Sequence, residues 1–210
     1  MISIVIWDWN GTVLDDLDVS LDAVNYILEK KNLPPITKDT YYEYLDSPII
    51  KFYEKALGTK DVPFEEISFY FNDYYKKHLY EIELTSGIKN IIATLHEMGI
   101  PQMIISASHI SYIEEALVRY ELEEYFDAVI GAQDYAAGSK IDRAEAYMES
   151  HGISREGRLV IGDTRHDLDM ADRIGADCIL LTSGHEGRIK LENSGAKVLD
   201  SLTLDDILTM

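Results

Sequence analysis

The stretch MISIVIWDWNGTVLD, residues 1–15, begins as an apolar run and changes at Asp8 into a polar turn that contains a glycine. The apolar run predicts a buried strand that delivers Asp8 to a loop. Burying a carboxylate is costly unless a cation or hydrogen-bond donors accompany it. We therefore interpret Asp8 as a site residue; the alternative is an aspartate that closes a turn or caps a helix.

Length and composition predict a globular protein of one domain with an insertion. The chain has 210 residues, of which 46% are hydrophobic, and this is enough to bury a sizeable core. It has no apolar run of about 18 residues or more, and its short N-terminal apolar run has no basic leader. We expect neither a membrane span nor a signal peptide, and the expected location is cytoplasmic.

The charge of the chain argues against polyanionic partners. It has 38 acidic and 19 basic residues, a formal net charge of −19. This field repels nucleic acid and anionic membranes, so we expect neither as a partner. An anionic substrate would need positive charge concentrated at its site by a metal ion, a lysine or backbone N–H groups.

Residues 15–83 have a helical pattern and form an insertion after the first predicted strand. Helices are expected at residues 18–31, 38–45 and 48–57, and a longer one after Pro63. Nine of the 14 tyrosines lie in this insertion. They predict an aromatic core for a small helical unit; the alternative is a cover whose phenol groups face a substrate.

From residue 84 onward, short apolar strands alternate with amphipathic helices. Strands are expected at residues 101–107, 128–131, 158–163 and 178–182, and helices at 87–98, 110–120, 144–151, 168–174 and 204–208. This alternation predicts an α/β fold, a doubly wound parallel sheet with helices on both faces. Ligands of such sheets bind beyond the carboxyl ends of the strands.

Polar side chains follow the predicted strands at the edge where ligands bind. In chain order they are Asp8, Ser106, Asp134, Lys140, Asp163 and Asp167. Carboxylates clustered without cysteine or a histidine pair favour a hard cation, so the pattern predicts a Mg²⁺ site. The hydroxyl, the lysine and the glycine-containing turn suit a phosphoryl group. The combination predicts phosphoryl transfer with Asp8 as a carboxylate nucleophile.

Four short motifs resemble, in this order, those of the haloacid dehalogenase superfamily of hydrolases, in its subgroup with a small helical cap. The first motif corresponds to residues 8–13 (Asp-Trp-Asn-Gly-Thr-Val) and the second to residues 104–106. The third corresponds to Lys140 and the fourth to residues 162–167. The resemblance extends over nearly the whole chain.

The resemblance implies two units. A doubly wound core would consist of residues 1–14 and 84–210, and residues 15–83 would form a mobile cap. Hinges near residues 14–16 and 83–86 would let the cap close over the site and exclude water.

The resemblance also implies roles for single residues in the hydrolysis of a phosphomonoester. Asp8 would attack phosphorus and form an aspartyl phosphate. The Mg²⁺ ligands would be Asp8, the backbone carbonyl of Asn10, Asp163 and, directly or by orienting another ligand, Asp167. The phosphate oxygens would be bound by Ser106, Ala107, Lys140 and the backbone N–H groups of Trp9, Gly11 and Thr12. The substrate would be a small phosphorylated metabolite of the phosphoglycolate or sugar phosphate type, and the enzyme a monomer or homodimer.

Three of these residues also fit ordinary structural roles when taken alone. Ser106 could cap the helix after its strand, Lys140 could be a solvated loop lysine, and Asp167 could be a first-turn helix aspartate. The proline usually found two residues after this lysine in the family is Asp142 here, which weakens the third motif.

The main departure from the family pattern is Asn10. The phosphatases of the family usually carry a second aspartate here, which protonates the leaving oxygen and later activates water. Such acid–base help is worth roughly 10²- to 10⁴-fold, and an asparagine cannot supply it. We expect a slow or specialised phosphatase in which His109, His166 or a cap residue moves the proton. Asn10→Asp should raise its turnover if the missing acid–base group is limiting.

Two other functions stay open at this point. Phosphonoacetaldehyde hydrolases of the family have Asp-Trp-Ala-Gly-Thr in the first motif and a cap lysine that forms a Schiff base, and Lys51 lies roughly where that lysine would fall. The alternative for Lys51 is an exposed helix lysine. The chain could also be a catalytically weak protein that binds phosphate and Mg²⁺. A dehalogenase is disfavoured, because those enzymes dispense with Mg²⁺ whereas Asp163 and Asp167 retain a metal site.

Overall fold

A parallel sheet is the central element of the computed structural model, which describes residues 1–133 and 140–210. The described strands are β1 (Ile4–Trp7), β2 (Leu14–Asp15), β3 (Glu83–Leu84), β4 (Gln102–His109), β5 (Ala128–Ala132), β6 (Arg158–Gly162), β7 (Asp177–Leu181) and β8 (Lys197–Leu199). All but β2 and β3 form one sheet in the order β5-β4-β1-β6-β7-β8, with every neighbouring pair parallel. The predicted α/β fold is confirmed, and β1 lies inside the sheet with Asp8 directly after it.

Helices connect these strands and form the insertion. They are α1 (Leu17–Lys30), α2 (Lys38–Tyr44), α3 (Ile50–Leu57), α4 (Phe64–Lys77), α5 (Ile88–Glu97), α6 (Ile110–Tyr120), α7 (Lys140–Ser150), α8 (Arg165–Ile174), α9 (Arg188–Glu192) and α10 (Leu204–Leu208), with 3₁₀ turns at Leu79–Glu81 and Glu123–Tyr125. Asp134 lies outside the described residues. None of the described helices is both long and apolar enough to span a membrane.

The residues of β1 show that the sheet is covered on both faces. Val5 and Trp7 belong to one apolar core cluster, whereas Ile4 and Ile6 belong to a second one. Successive strand residues point to opposite faces, and all four are buried. An apolar run without polar alternation is therefore what this position in the sheet requires.

The helical segment, residues 17–81, has an apolar core of its own. Val24, Ile27 and Leu28 recur at helical spacing along α1 and pack in this core with Tyr41 and Tyr53. Two connections join this segment to the sheet, one at each end. They lie side by side, because β2 in the first pairs with β3 in the second in antiparallel fashion. Both connections therefore lie at the same edge of the sheet, beside the turn after Asp8.

A lysine of α9 holds the end of a helix in the helical segment. Lys190 Nζ donates hydrogen bonds to the backbone carbonyls of Tyr42, Glu43 and Leu45, at 2.7, 3.0 and 2.6 Å. These carbonyls belong to the C-terminal end of α2, where they lack partners within the helix. Lys190 thus ties α2 to the part of the chain that follows β7.

We expect Lys190→Met to lower the free energy of unfolding by about 1–2 kcal/mol, because three helix-end carbonyls lose their donor. Urea denaturation measures the change, and amide hydrogen exchange should increase in residues 38–45. Lys38→Met is the matched control, since Lys38 lies in α2, the helix that Lys190 contacts, is exposed and makes a 3.7 Å ion pair. Equal effects of the two substitutions would contradict a specific role for Lys190.

Several elements and boundaries differ from the sequence prediction. β8 was not predicted, because three residues that begin with a lysine give no apolar run. α8 begins three residues earlier than expected, since Thr164 starts its first turn. α7 begins at Lys140, so this lysine is the first residue of a helix and the interpretation as a loop residue is wrong.

Candidate active site

The carboxyl ends of β1 and β6 bring the predicted acidic residues together. Asp8 follows β1 and Asp163 follows β6, its parallel neighbour, and Asp167 lies in the first turn of α8. One oxygen from each of these three carboxylates lies within 4.8 Å of the others. All three residues are buried, so the site concentrates negative charge where water cannot screen it.

Lys140 is the cation of this cluster. Its ammonium donates to Asp8 Oδ1 and, at 2.5 Å, to Asp167 Oδ1. Lys140 is only 5% exposed, and the two carboxylates outweigh the effect of burial, so its pKa lies above the usual range. It is therefore a permanent positive charge beside Asp8, and the interpretation as a solvated lysine is wrong.

The three carboxylates differ in how their charge is compensated. Burial raises the pKa of Asp8 to about 6, against the opposing influence of Lys140. Burial also raises the pKa of Asp163 well above its usual range; His185 opposes this shift, and the neighbouring Asp8 and Asp167 add to it. For Asp167 the opposite holds, because Lys140 outweighs burial and lowers its pKa.

The buried Asp163 carboxylate is suited to bind a metal cation. Its side-chain oxygens accept hydrogen bonds from the Thr12 hydroxyl at 3.3 Å and the His185 backbone N–H at 2.6 Å. Both donors are neutral, and the carboxylate is almost fully buried. A divalent cation held by the oxygens of Asp8 and Asp163 would compensate the charge of both carboxylates, and an all-oxygen donor set suits Mg²⁺.

Asp167 is held more tightly by the protein itself. Oδ2 accepts from the Thr164 backbone N–H at 3.0 Å and the Thr164 hydroxyl at 2.7 Å, and Oδ1 accepts from Lys140. Both of its oxygens are thus used within the protein. This arrangement favours a role in orienting Lys140 and the start of α8.

Three glycines make room for these carboxylates. A Cβ added at Gly11 or Gly184 would collide with the side chain of Asp163, and one at Gly162 would collide with Asp167. Gly11 also has a φ of +72°, which favours glycine. The site is therefore built from backbone that passes very close to the acidic side chains.

The predicted phosphate-binding groups have definite positions. Ser106 ends the buried part of β4, and its hydroxyl accepts from the Ser108 backbone N–H at 3.1 Å. Ala107 next to it is exposed. The Gly11 N–H, predicted to contact phosphate, is instead used inside the protein, since it donates to Asp16 Oδ1 at 2.8 Å.

Trp9 and Thr12 contribute to the same turn. The Trp9 side chain is buried in the core. Its carbonyl accepts from the backbone N–H groups of Val13 and Leu14, both at 2.9 Å, and from that of Thr12 at 3.4 Å. The turn after Asp8 is thus tightly hydrogen-bonded within the protein.

A second cluster, which we name the Asp16 cluster, lies beside this turn and was not predicted. It is centred on the Asp16 carboxylate, which is 1% exposed. Its members are Asp16, Asn10, Gly11, Ser20, Tyr75, Ser108 and His185. The pKa of Asp16 is lowered, since His185, Asn10 and Tyr75 together outweigh burial. The pKa of His185 is raised to about 9, because Asp16 outweighs burial.

The sequence contains a signal for both missed residues. Asp16 is the second of two consecutive aspartates directly after the first motif. His185 follows the end of β7, so extending the strand-end rule to this strand would have found it.

The residues proposed as proton carriers or as a Schiff-base lysine have different surroundings. His109 accepts from the Ser111 backbone N–H at 3.3 Å and caps α6. The pKa of His166 is lowered by burial and by the nearby Lys140. The Lys51 side chain is 49% exposed, and its ammonium donates to the Ser47 carbonyl at 2.7 Å. The exposed position of Lys51 is that of an ordinary helix lysine.

The family model of haloacid dehalogenase-like hydrolases matches residues 5–181. The chain belongs to this family. Two phosphoglycolate phosphatases are among its relatives. The one from Pseudomonas fluorescens is 25% identical over 209 residues, 95% of this chain and 76% of the relative. The one from Photorhabdus laumondii is 26% identical over 189 residues, 86% of this chain and 80% of the relative.

A solved structure shares the fold of this haloacid dehalogenase-like hydrolase. It is that of a predicted phosphatase from Clostridium acetobutylicum, with a TM-score of 0.87, 23% identity and coverage of 100% of both chains. The inserted helical segment and the sheet are therefore both part of the shared architecture.

Proposed function

We propose that this hydrolase cleaves a small phosphomonoester in a Mg²⁺-dependent reaction with Asp8 as the nucleophile. The observation that carries the proposal is the pairing of Asp8 with Lys140 beside Asp163 at the carboxyl edge of the sheet. A carboxylate nucleophile needs an adjacent positive charge to accept an anionic phosphate. The family and the names of the relatives support the same reaction.

The reaction has two steps. An oxygen of Asp8 attacks phosphorus, the bond from phosphorus to the ester oxygen breaks, and the leaving oxygen takes up a proton from a solvent water molecule as the alcohol departs. Water then attacks the phosphorus of the aspartyl phosphate, which releases inorganic phosphate and regenerates Asp8. Lys140 lies at Asp8 Oδ1, where it stabilises negative charge in both steps.

Mg²⁺ would be held by Asp8, Asp163 and the backbone carbonyl of Asn10, with Asp167 in support. When bound, it would neutralise the charge that develops on the phosphoryl oxygens. Ser106 and the backbone at Ala107 lie at the adjacent strand end, where they would bind the same oxygens.

The proposed substrate is small and of the phosphoglycolate type. The formal net charge of −19 disfavours polyanions such as nucleic acid. We further propose that residues 15–83 act as a cap, because Tyr41 of α2 and Tyr75 of α4 both contact members of the Asp16 cluster beside Asp8. A cap in this position admits a small ester and excludes water.

The test is phosphate release from a panel of small phosphomonoesters, including phosphoglycolate and sugar phosphates, with Mg²⁺ and with a chelator. The proposal expects release only with Mg²⁺ and its loss in Asp8→Asn. Saturable, Mg²⁺-dependent binding of a phosphate compound without release would instead indicate a binding protein. Release that does not depend on Mg²⁺ would contradict the metal assignment.

Mg²⁺ should also stabilise the protein without substrate. At a concentration about 100 times its Kd, a ligand that binds only the folded state adds about 2.7 kcal/mol, and thermal unfolding measures the shift. Asp163→Asn should abolish the shift, because it removes the charge of a ligand whose side-chain hydrogen bonds, among the described residues, come from neutral donors. Asp169→Asn is the matched control, since Asp169 is exposed on α8. An unchanged shift in Asp163→Asn would contradict this site.

A further inference from the structure

The Asp16 carboxylate receives five hydrogen-bond donors from four parts of the chain. Oδ2 accepts from Asn10 Nδ2 at 2.7 Å, the Tyr75 hydroxyl at 2.8 Å and the Ser20 hydroxyl at 3.2 Å. Oδ1 accepts from the Gly11 N–H at 2.8 Å and lies 3.1 Å from His185 Nε2. A buried carboxylate with this many donors is held in one position.

Asn10 is fixed by the same cluster. Its amide nitrogen donates to Asp16 Oδ2 and to the Tyr75 hydroxyl, each at 2.7 Å, and its oxygen accepts from the Ser108 hydroxyl. Both amide hydrogens are therefore used within the protein, and the nitrogen faces the Asp16 carboxylate. The direction of this amide is set by the charge opposite it.

A substitution at position 10 or position 16 alone would remove the pairing of an amide donor with a carboxylate acceptor. An aspartate at position 10 would place a carboxylate oxygen 2.7 Å from Asp16 Oδ2, and two carboxylates so close repel each other. An asparagine at position 16 would turn its own N–H groups either toward the Asn10 amide or toward the Gly11 N–H. In both orientations two donors would face each other.

Exchanging both residues restores the hydrogen bond between positions 10 and 16 and keeps an acceptor for the Gly11 N–H. The Tyr75 and Ser20 hydroxyls, which now donate to Asp16 Oδ2, would reorient. The asparagine introduced at position 16 would keep its oxygen toward the Gly11 N–H and His185, and its nitrogen would donate to an aspartate at position 10. The Ser108 hydroxyl would donate to that aspartate as it now donates to Asn10.

We propose that Asp16 is a positioning residue for the turn that carries Asp8, and that Asn10 and Asp16 form a matched pair whose amide and carboxylate can be exchanged only together. Asp16 anchors the Gly11 N–H of that turn. It also connects the turn to the helical segment through Tyr75 directly, and through His185, which contacts the Tyr41 hydroxyl at 3.0 Å. Asn10 in place of the usual aspartate is therefore a consequence of a carboxylate at position 16.

The test compares Asp16→Asn, Asn10→Asp and the double variant with the native chain at neutral pH. Each single variant should lower kcat by about 100-fold, the loss typical of a displacement of about 1 Å at an active site. The double variant should return to within about tenfold of the native kcat. Asp22→Asn is the matched control, because Asp22 is exposed on α1, the helix that follows Asp16.

Amide hydrogen exchange of residues 9–14 gives a readout that needs no activity. The exchange rate should rise in Asp16→Asn and return to the native value in the double variant. It should stay at the native value in Asp22→Asn. The kcat comparison rests on the proposed phosphatase function, whereas the exchange comparison does not. A native chain without turnover would remove the proposed function alone and leave the exchange comparison to decide.

Three outcomes would overturn the inference. The first is a rise in kcat in Asn10→Asp alone. The second is a double variant whose loss of kcat equals the product of the losses in the two single variants. The third is a double variant that is unfolded, or that exchanges at residues 9–14 as fast as Asp16→Asn. In each case the two residues would not be a matched pair.

Discussion

Asp8→Asn is expected to lower phosphate release by at least about a thousandfold while the chain stays folded, because an amide cannot form the aspartyl phosphate. Lys140 would keep Asp167 as its partner at 2.5 Å. The substitution also removes one of three neighbouring buried carboxylates. The melting temperature should therefore change little.

The control for this substitution is Asp15→Asn. Asp15 lies seven residues further along the chain, in β2, and is exposed. The same chemical change there should leave turnover within about twofold of the native value, since surface substitutions have small effects. Substantial turnover in Asp8→Asn would show that another group attacks phosphorus.

Lys140→Met is expected to abolish turnover and to lower the free energy of unfolding by about 3–5 kcal/mol, the usual cost of removing one partner from a buried ion pair. It leaves Asp8 and Asp167 buried without their cation. Urea denaturation in the presence of a chelator measures the loss. Added Mg²⁺ should recover part of the stability, because it can compensate the same carboxylates.

Lys197→Met is the matched control for Lys140. Lys197 also pairs with an aspartate, Asp206 at 3.3 Å, but its side chain is 33% exposed. A partly exposed pair contributes at most about 1 kcal/mol. If Lys140→Met were no more destabilising than Lys197→Met, Lys140 would not be the compensating charge of the site.

The sequence was sufficient for the residues that stand directly at strand ends. Asp8 and Asp163 follow apolar runs, and the parallel sheet places the ends of such runs at one edge. Lys140 was predicted by its motif, although its position in a helix was not, because the preceding residues gave no helical pattern.

The strand-end rule extends to His185 of the Asp16 cluster, but the contacts among the members of this cluster could not be predicted. Tyr75 and His185 lie 59 and 169 residues from Asp16 in the chain, and no local pattern indicates that they meet. Asn10 shows most clearly how such contacts change the interpretation of a residue. From the sequence it is an asparagine that replaces an acid–base group, whereas the structure makes it the partner of a buried carboxylate six residues away.

The expected effect of Asn10→Asp therefore changes. The sequence suggested that this substitution would raise turnover by restoring an acid–base residue. With Asp16 Oδ2 at 2.7 Å from the side chain of residue 10, we expect the single substitution to impair the enzyme. Restoring the aspartate should require the accompanying change at position 16.

The most direct test of the account is to identify the residue that becomes phosphorylated. The protein would be quenched with acid during turnover of phosphoglycolate, or of the best substrate in the panel, treated with borohydride and analysed by peptide mass spectrometry. Borohydride reduces an aspartyl phosphate to homoserine, so the account predicts homoserine at position 8 and only with Mg²⁺ present. Turnover with an unmodified Asp8, or with the modification at another residue, would contradict it.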